Sequence, residues 1–197
     1  MSLLCSKLLI KNLKTLRILV LFLFCQPAFC QDGFLPVDDK KNVGYSDVGR
    51  LKNTKEEIYD KAQKWAAKTL GNYENLATPE DTKSGKLVIN SYTPLSHSLY
   101  DYVRFNLTIE CDSNRYQARI DQLDGTSAVR TPVRFSTKEN DAVTEKAMIL
   151  KTETNRKKRV EAERNLKNVR ADNEGINNAV YRLLAGLKAY MTAESER

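Results

Sequence analysis

His97 is the sole histidine of the chain, set in Ser96-His97-Ser98 with Asp101 close behind. A hydroxyl, an imidazole and a carboxylate are the groups a hydrolase uses as nucleophile, base and orienter. Such a triad is an assembly in space, and nearness along the chain does not supply it. Beside Pro94, in a stretch expected to turn, His97 reads as a solvent-facing loop residue, and hydrolysis through His97 and Asp101 is the alternative. One histidine and, past residue 30, one cysteine (Cys111) are too few for a typical zinc site. The eight glycines form no phosphate-cradling loop and no dinucleotide fingerprint. Asp38-Asp39 and Glu80-Asp81 lack the alternating ligand spacing of a calcium loop. Asn106-Leu107-Thr108 matches a glycosylation sequon but falls inside an expected strand. The expectation is therefore no catalytic residue, no metal and no cofactor.

Binding is the better prospect. Tyr100, Tyr102, Arg104 and Arg119 are expected on the wet side of a sheet, and Tyr and Arg are common interface anchors. A second basic feature is the run Arg156-Lys157-Lys158-Arg159, continued by Arg164, Lys167 and Arg170. It could meet anionic lipid headgroups or a polyanion. Glu153, Glu161 and Glu163 dilute its field, so a solvated helix face is the plainer reading. Trp65, the single tryptophan, has the spacing of a core anchor.

Charge and cysteine both point to an address label. The 197 residues carry +7, but Lys7, Lys11, Lys14 and Arg17 lie in the first 30 residues, where there is no acid. The remaining chain carries +3, which demands no anionic partner. Cys5, Cys25 and Cys30 share that leading stretch, so a disulfide scaffold is excluded. A cationic start, the short apolar run ILVLFLFC at 18–25 and small residues at 28 and 30 have the order of a secretory signal. The run is well short of the roughly 20 apolar residues a spanning helix needs. Cleavage is expected between Cys30 and Gln31, with export to the periplasm or cell envelope. A lipoprotein at Cys30 is the rival, although Phe29 departs from the small residue that precedes such a cysteine.

These residues must be positioned by a mixed set of elements. Residues 31–42 read as a flexible lead-in, and 43–51 as a weak strand with two glycines. Thr54 and Glu57 form a capping box, and Ile58, Ala62, Trp65, Ala66 and Thr69 share one face of the helix that follows. Gly71 stops it; 72–83 reads as a polar connection and 86–92 as a strand. Over 99–111, Val103, Phe105, Leu107, Ile109 and Cys111 alternate with polar residues, so one face is buried and the other wet. Residues 115–123 return with Tyr116, Ala118 and Ile120 apolar. Burying both apolar sets requires an odd sum for opposing numbers. A two-residue loop at Ser113-Asn114 then sets Cys111 opposite Tyr116 and Leu107 opposite Ile120. On the wet side it makes Arg104 diagonal to Asp121 and Glu110 diagonal to Arg119. Asp124-Gly125 reads as a turn, and Pro132 demotes 129–135 to an edge strand. The charged segment 137–169 reads as one long helix or two shorter ones, with i,i+4 pairs Glu153–Lys157 and Glu163–Lys167. Asp172 or Asn173 could cap a last helix striped by Ile176, Val180, Leu183, Leu184, Leu187 and Tyr190.

Several of these segments resemble a known family, the domain-of-unknown-function family numbered 4468, described as having a TBP-like fold. The residues that carry the resemblance are Glu57-Ile58-Tyr59, Ala62, Trp65 and Ala66 on the helix, then Gly85-Lys86-Leu87 entering a strand. Leu107-Thr108-Ile109-Glu110 and Arg115-Tyr116-Gln117-Ala118-Arg119-Ile120 complete it on the hairpin. It spans about residues 43–135. The resemblance implies an exported bacterial protein with no established activity, and it supplies no site residues. It does not imply DNA binding, because a fold does not fix a function. The expected plan is a signal peptide at 1–30, a lead-in at 31–42, a TBP-like α+β domain at 43–135 and a helical extension at 136–197. In that plan a helix packs on a curved antiparallel sheet, with C-terminal helices added. The expected role is non-catalytic binding of an unknown protein or envelope component, not of nucleic acid, with no transmembrane helix in the mature chain. Envelope association through the basic helix at 156–170 is a further alternative.

Overall fold

The computed structural model describes residues 32–71, 73–96 and 98–193. The expected leader at 1–30, with its cut between Cys30 and Gln31, lies outside the described residues, and so does His97. Six strands form one antiparallel sheet: β1 (Tyr45–Arg50), β2 (Glu74–Asn75), β3 (Lys86–Pro94), β4 (Tyr102–Asp112), β5 (Arg115–Ser127) and β6 (Arg130–Arg134). The spatial order is β1-β5-β4-β3-β2. β6 joins the same edge of β5 as β1, further along the strand, with Asp124 opposite Arg134. Pro132 sits on this fully exposed edge strand, where its missing N–H costs no ladder bond.

Strict alternation makes β4 and β5 a hairpin. Cys111 faces Tyr116, Ile109 faces Ala118 and Leu107 faces Ile120, as the parity argument requires. β5 does not stop at Leu123, and Asp124-Gly125 is no turn. At Gln122 the backbone enters the left-handed region (φ 53°), and Gln122 and Leu123 together oppose the single residue Phe105. This bulge reverses the parity of the strand. The buried side, even-numbered through Ile120, continues on odd-numbered Leu123 and Gly125.

One face of the sheet carries two helices. α1 (Lys55–Thr69) starts at the expected capping box: the Glu57 N–H donates to Thr54 Oγ1 (3.3 Å) and the Thr54 N–H to the Glu57 carboxylate (2.9 Å). Ile58, Ala62, Trp65 and Ala66 face inward, whereas Thr69 is exposed. The segment read as a polar connection holds a short helix, α2 (Pro79–Ser84). Thr78 and Asp81 form its capping box and Pro79 occupies its first turn, where a missing N–H is harmless. α3 (Thr137–Thr152) and α4 (Arg156–Thr192) are the charged segment. The chain breaks at 153–155, because Glu153 is extended and the Asn155 side chain accepts from the N–H groups of Lys157 and Lys158 (3.0 and 3.3 Å). α4 then runs unbroken through Asp172 and Asn173, so neither is a cap. Asn173 is buried and donates to the Gly33 carbonyl (2.7 Å).

The core is one cluster. Tyr45, Leu87, Ile89, Phe105, Leu107, Ile109, Tyr116 and Ile120 from the sheet meet Trp65 and Ile58 of α1 and Ile176, Val180, Leu184, Leu187 and Met191 of α4. The expected stripe residues Leu183 and Tyr190 pack at its border. Near its start α4 instead pairs with α3, burying Val143, Ala162 and Leu166. Residues 33–42, read as a flexible lead-in, are docked. Leu35 is buried, its N–H and carbonyl both engaged by the Asn140 amide (2.7 and 2.8 Å). The Asn177 amide donates to the Phe34 carbonyl (2.8 Å). Three asparagine side chains thus satisfy backbone groups of a segment that has little regular pairing of its own. Among the described residues no helix is long and apolar enough to cross a membrane.

Candidate functional site

The helices cover one face of the sheet. The other presents Tyr92, Tyr102, Arg104, Glu110, Gln117 and Arg119 to solvent. Tyr102 and Arg104 are two apart on β4 and so share a face. β3 sets Tyr92 opposite Arg104 and Pro94 opposite Tyr102. The rings of Tyr92 and Tyr102 therefore meet diagonally, with centroids 5.6 Å apart and planes at 57°. Both stay accessible, at 49% and 37% exposure. One step along, the Asn90 amide donates to Asn106 Oδ1 (2.7 Å) across the same two strands, which engages the asparagine of the sequon. Tyr73, Glu74, Gly71, Asn90, Tyr92 and Arg104 line a shallow depression of about 430 Å³ beside the tyrosine pair.

Charge pairing singles out one residue. β3, β4 and β5 carry four cations on this face, Lys86, Arg104, Arg115 and Arg119. Lys86 pairs with Asp81 (3.4 Å), Arg115 with Asp112 (3.1 Å), and Arg119 with Asp121 (3.1 Å) and Asp38 (3.3 Å). Arg104 has no ion pair among the described residues. The bulge explains this. It places Asp124, not Asp121, level with Arg104, and the Asp124 carboxylate is held by both Nε and Nη2 of Arg134. The expected pair Arg104–Asp121 therefore does not form, and Glu110, although diagonal to Arg119 as expected, is passed over because Arg119 turns to Asp121 and Asp38.

Of the four residues expected at the site, Tyr102 and Arg104 are together and Arg119 lies on the same face, engaged by two carboxylates. Tyr100 is elsewhere. It precedes β4 and packs edge-on against Phe135 (5.3 Å) over Gly125, at the border of the core. Burial raises its phenol pKa above the ordinary value. Tyr92, Asn90 and Tyr73 join the site in its place. Tyr92 was legible in principle, since it has the even parity that a 3–4 hairpin turns toward the wet face.

Several of the described groups weighed for catalysis or for a metal have structural employment. The Asp101 carboxylate accepts the Ala128 N–H (2.9 Å) and so holds the loop between β5 and β6. Asp38 accepts the Lys40 and Asn42 N–H groups (2.9 Å each). The Asn42 bond, offset by some burial, is the main reason its carboxyl titrates below the usual range. Asp81 closes the α2 capping box. Cys111 is buried, and burial pushes its thiol pKa up to about 12. No three His, Cys, Asp or Glu side chains among the described residues gather as a metal site would require. The geometry instead offers stacking from two tyrosines and, from Arg104, a guanidinium with no ion pair among the described residues, for a negative group.

Residues 45–124 match the family model described as a domain of unknown function, DUF4468, with a TBP-like fold. Two solved structures share the architecture. A TBP-like protein from Parabacteroides distasonis is 17% identical with a TM-score of 0.54, covering 79% of this chain and 96% of its own. A DUF4468 family protein from Bacteroides ovatus is 14% identical with a TM-score of 0.56, covering 83% of this chain and 93% of its own. At these identities the likeness concerns the fold. The shares exceed that of residues 45–124, so the common architecture takes in more than the DUF4468 stretch. No curated protein matches the chain.

Proposed function

We propose that the mature protein is an exported, non-catalytic binding module of the periplasm or cell envelope. Its DUF4468 domain takes a partner on the open sheet face at Tyr92, Tyr102 and Arg104. One observation carries this reading: among the described residues Arg104 is the cation of β3–β5 without an ion pair, and it is flanked by two exposed, mutually packed tyrosines. An unpaired guanidinium beside flat aromatic surface suits a partner with a carboxylate or other negative group next to an apolar one. The paired charges over the rest of the face favour a protein or envelope component over a nucleic-acid backbone, which is held by many unpaired cations. Export rests on the order of charges and apolar residues at 1–30. The test is affinity capture from envelope fractions with the chain from Gln31, quantified by mass spectrometry. Tyr102→Ala and Arg104→Ala should each reduce capture of the specific partner by about tenfold or more, as expected of interface anchors. Arg119→Ala, at a residue already held by two acids, should do less. Equal capture by all variants would remove this face from the account.

A further inference from the structure

We propose that the tip of the α3–α4 hairpin is a docking surface for an anionic lipid bilayer, separate from the tyrosine–arginine face. Three observations meet there. First, residues 146–160 hold six cations and one acid, more positive charge than the whole chain after residue 30 carries net. Second, Met148, Ile149 and Val160 are 65%, 41% and 63% exposed at the same end of the hairpin. Val160 shares a helix face with Arg156 and Lys157, and Met148 shares one with Lys151. Third, the four cations at 156–159 form the first turn of α4, which holds no acid. Cations there oppose the helix dipole. Among the described residues none of the four, nor Lys151, has an ion pair, and the expected Glu153–Lys157 pair is absent because Glu153 lies before the helix and accepts the Asn155 N–H (2.8 Å). A placement that local electrostatics disfavours and nothing inside the fold compensates is expected where a surface serves a function.

The occupant follows from the combination. A soluble polyanion would answer the cations and leave Met148, Ile149 and Val160 in water. A bilayer with anionic headgroups answers both, taking the cations at headgroup level and the apolar side chains into the boundary below. α3 packs mainly against α4 and not on the sheet, so the tip can reach a membrane plane without using the opposite sheet face.

The test uses the chain from Gln31, which contains all of the compact unit that starts at Gly33 and has its own core. Co-sedimentation is measured with phosphatidylglycerol-containing and with pure phosphatidylcholine vesicles, with heparin as a soluble polyanion. The expected result is binding to the phosphatidylglycerol-containing vesicles and not to pure phosphatidylcholine ones, weakened by salt, with heparin bound through the cations only. The Gln variant of all four residues at 156–159 should lose about a hundredfold or more, each basic residue at an anionic surface contributing roughly fivefold. Met148→Ser with Ile149→Ser and Val160→Ser should weaken vesicle binding and leave heparin binding unchanged. All of these positions are exposed, so cooperative thermal melts with midpoints no lower than the parent's will certify the folded state. No binding to anionic vesicles at low salt, or undiminished binding by the Gln variant, overturns the proposal. Serine variants that bind vesicles as the parent does overturn the lipid as occupant in favour of a polyanion.

Discussion

Gly49 lies under the ring of Tyr116, where a Cβ would come within 2.0 Å of Cε1. Tyr116 is fully buried and cannot withdraw. Gly49→Ala should therefore cost about 1–3 kcal/mol through overpacking, read as a lower midpoint in urea. The second glycine of the weak strand, a blemish in its propensity, is the space a core tyrosine needs. Cys111 makes a kinetic prediction at the same scale. Its thiol is buried and titrates near pH 12, so the native protein should not react with a thiol reagent at neutral pH, while the denatured chain should react fully. Alternation puts Tyr102 and Arg104 on the solvent side of β4, whereas Tyr100, expected beside them, packs against Phe135. The difference is that alternation fixes a face only inside a strand, and β4 begins at Tyr102.

At the scale of elements, local rules were legible wherever they act alone. The Thr54 capping box, the inward stripe of α1 and the β4–β5 register as far as Ile120 follow from side-chain period and turn length. What was not legible depends on partners distant in sequence. The bulge at Gln122 has no glycine to announce it, yet it redirects Asp124 to Arg134 and leaves Arg104 with no ion pair among the described residues. Asn173 resembled a cap and is instead a tie to Gly33, a bond spanning most of the chain. The cations that open α4 give a prediction here. Replacing Lys157 by Glu should raise stability by about 0.3–1 kcal/mol through the helix dipole, seen as a higher melting temperature. That gain in stability should accompany a loss of vesicle binding, which is the signature of a site retained for function.

At the scale of the molecule, sheet, two covering helices and the asparagine-tied segment 33–35 share one core, so ionisation inside it bears on the whole. Burial raises the folded-state pKa of Cys111 from 9.0 and of Tyr116 from 10.0, each to about 12, and raises that of Tyr45 further. The folded state holds these protons where the unfolded chain releases them. Their contribution to stability is therefore complete below about pH 9 and is lost as pH rises toward 12. Thermal melts across that range should show a steady fall in midpoint that flattens below pH 9. The TBP-like architecture was legible from the helix and hairpin segments, whereas the packing of α4 on the sheet required the structure, because a charged amphipathic stripe does not say which surface it meets. The claim that matters most is that the face opposite those helices is the one that binds. Its most direct test is a benzoyl-phenylalanine photocrosslinker at Tyr92, compared with one at Val129, which is 86% exposed in the loop between β5 and β6. In cells producing the protein, irradiation should yield a discrete adduct from position 92, abolished by Arg104→Ala, and none from 129. Adducts equal at both positions, or indifferent to Arg104→Ala, would contradict the account.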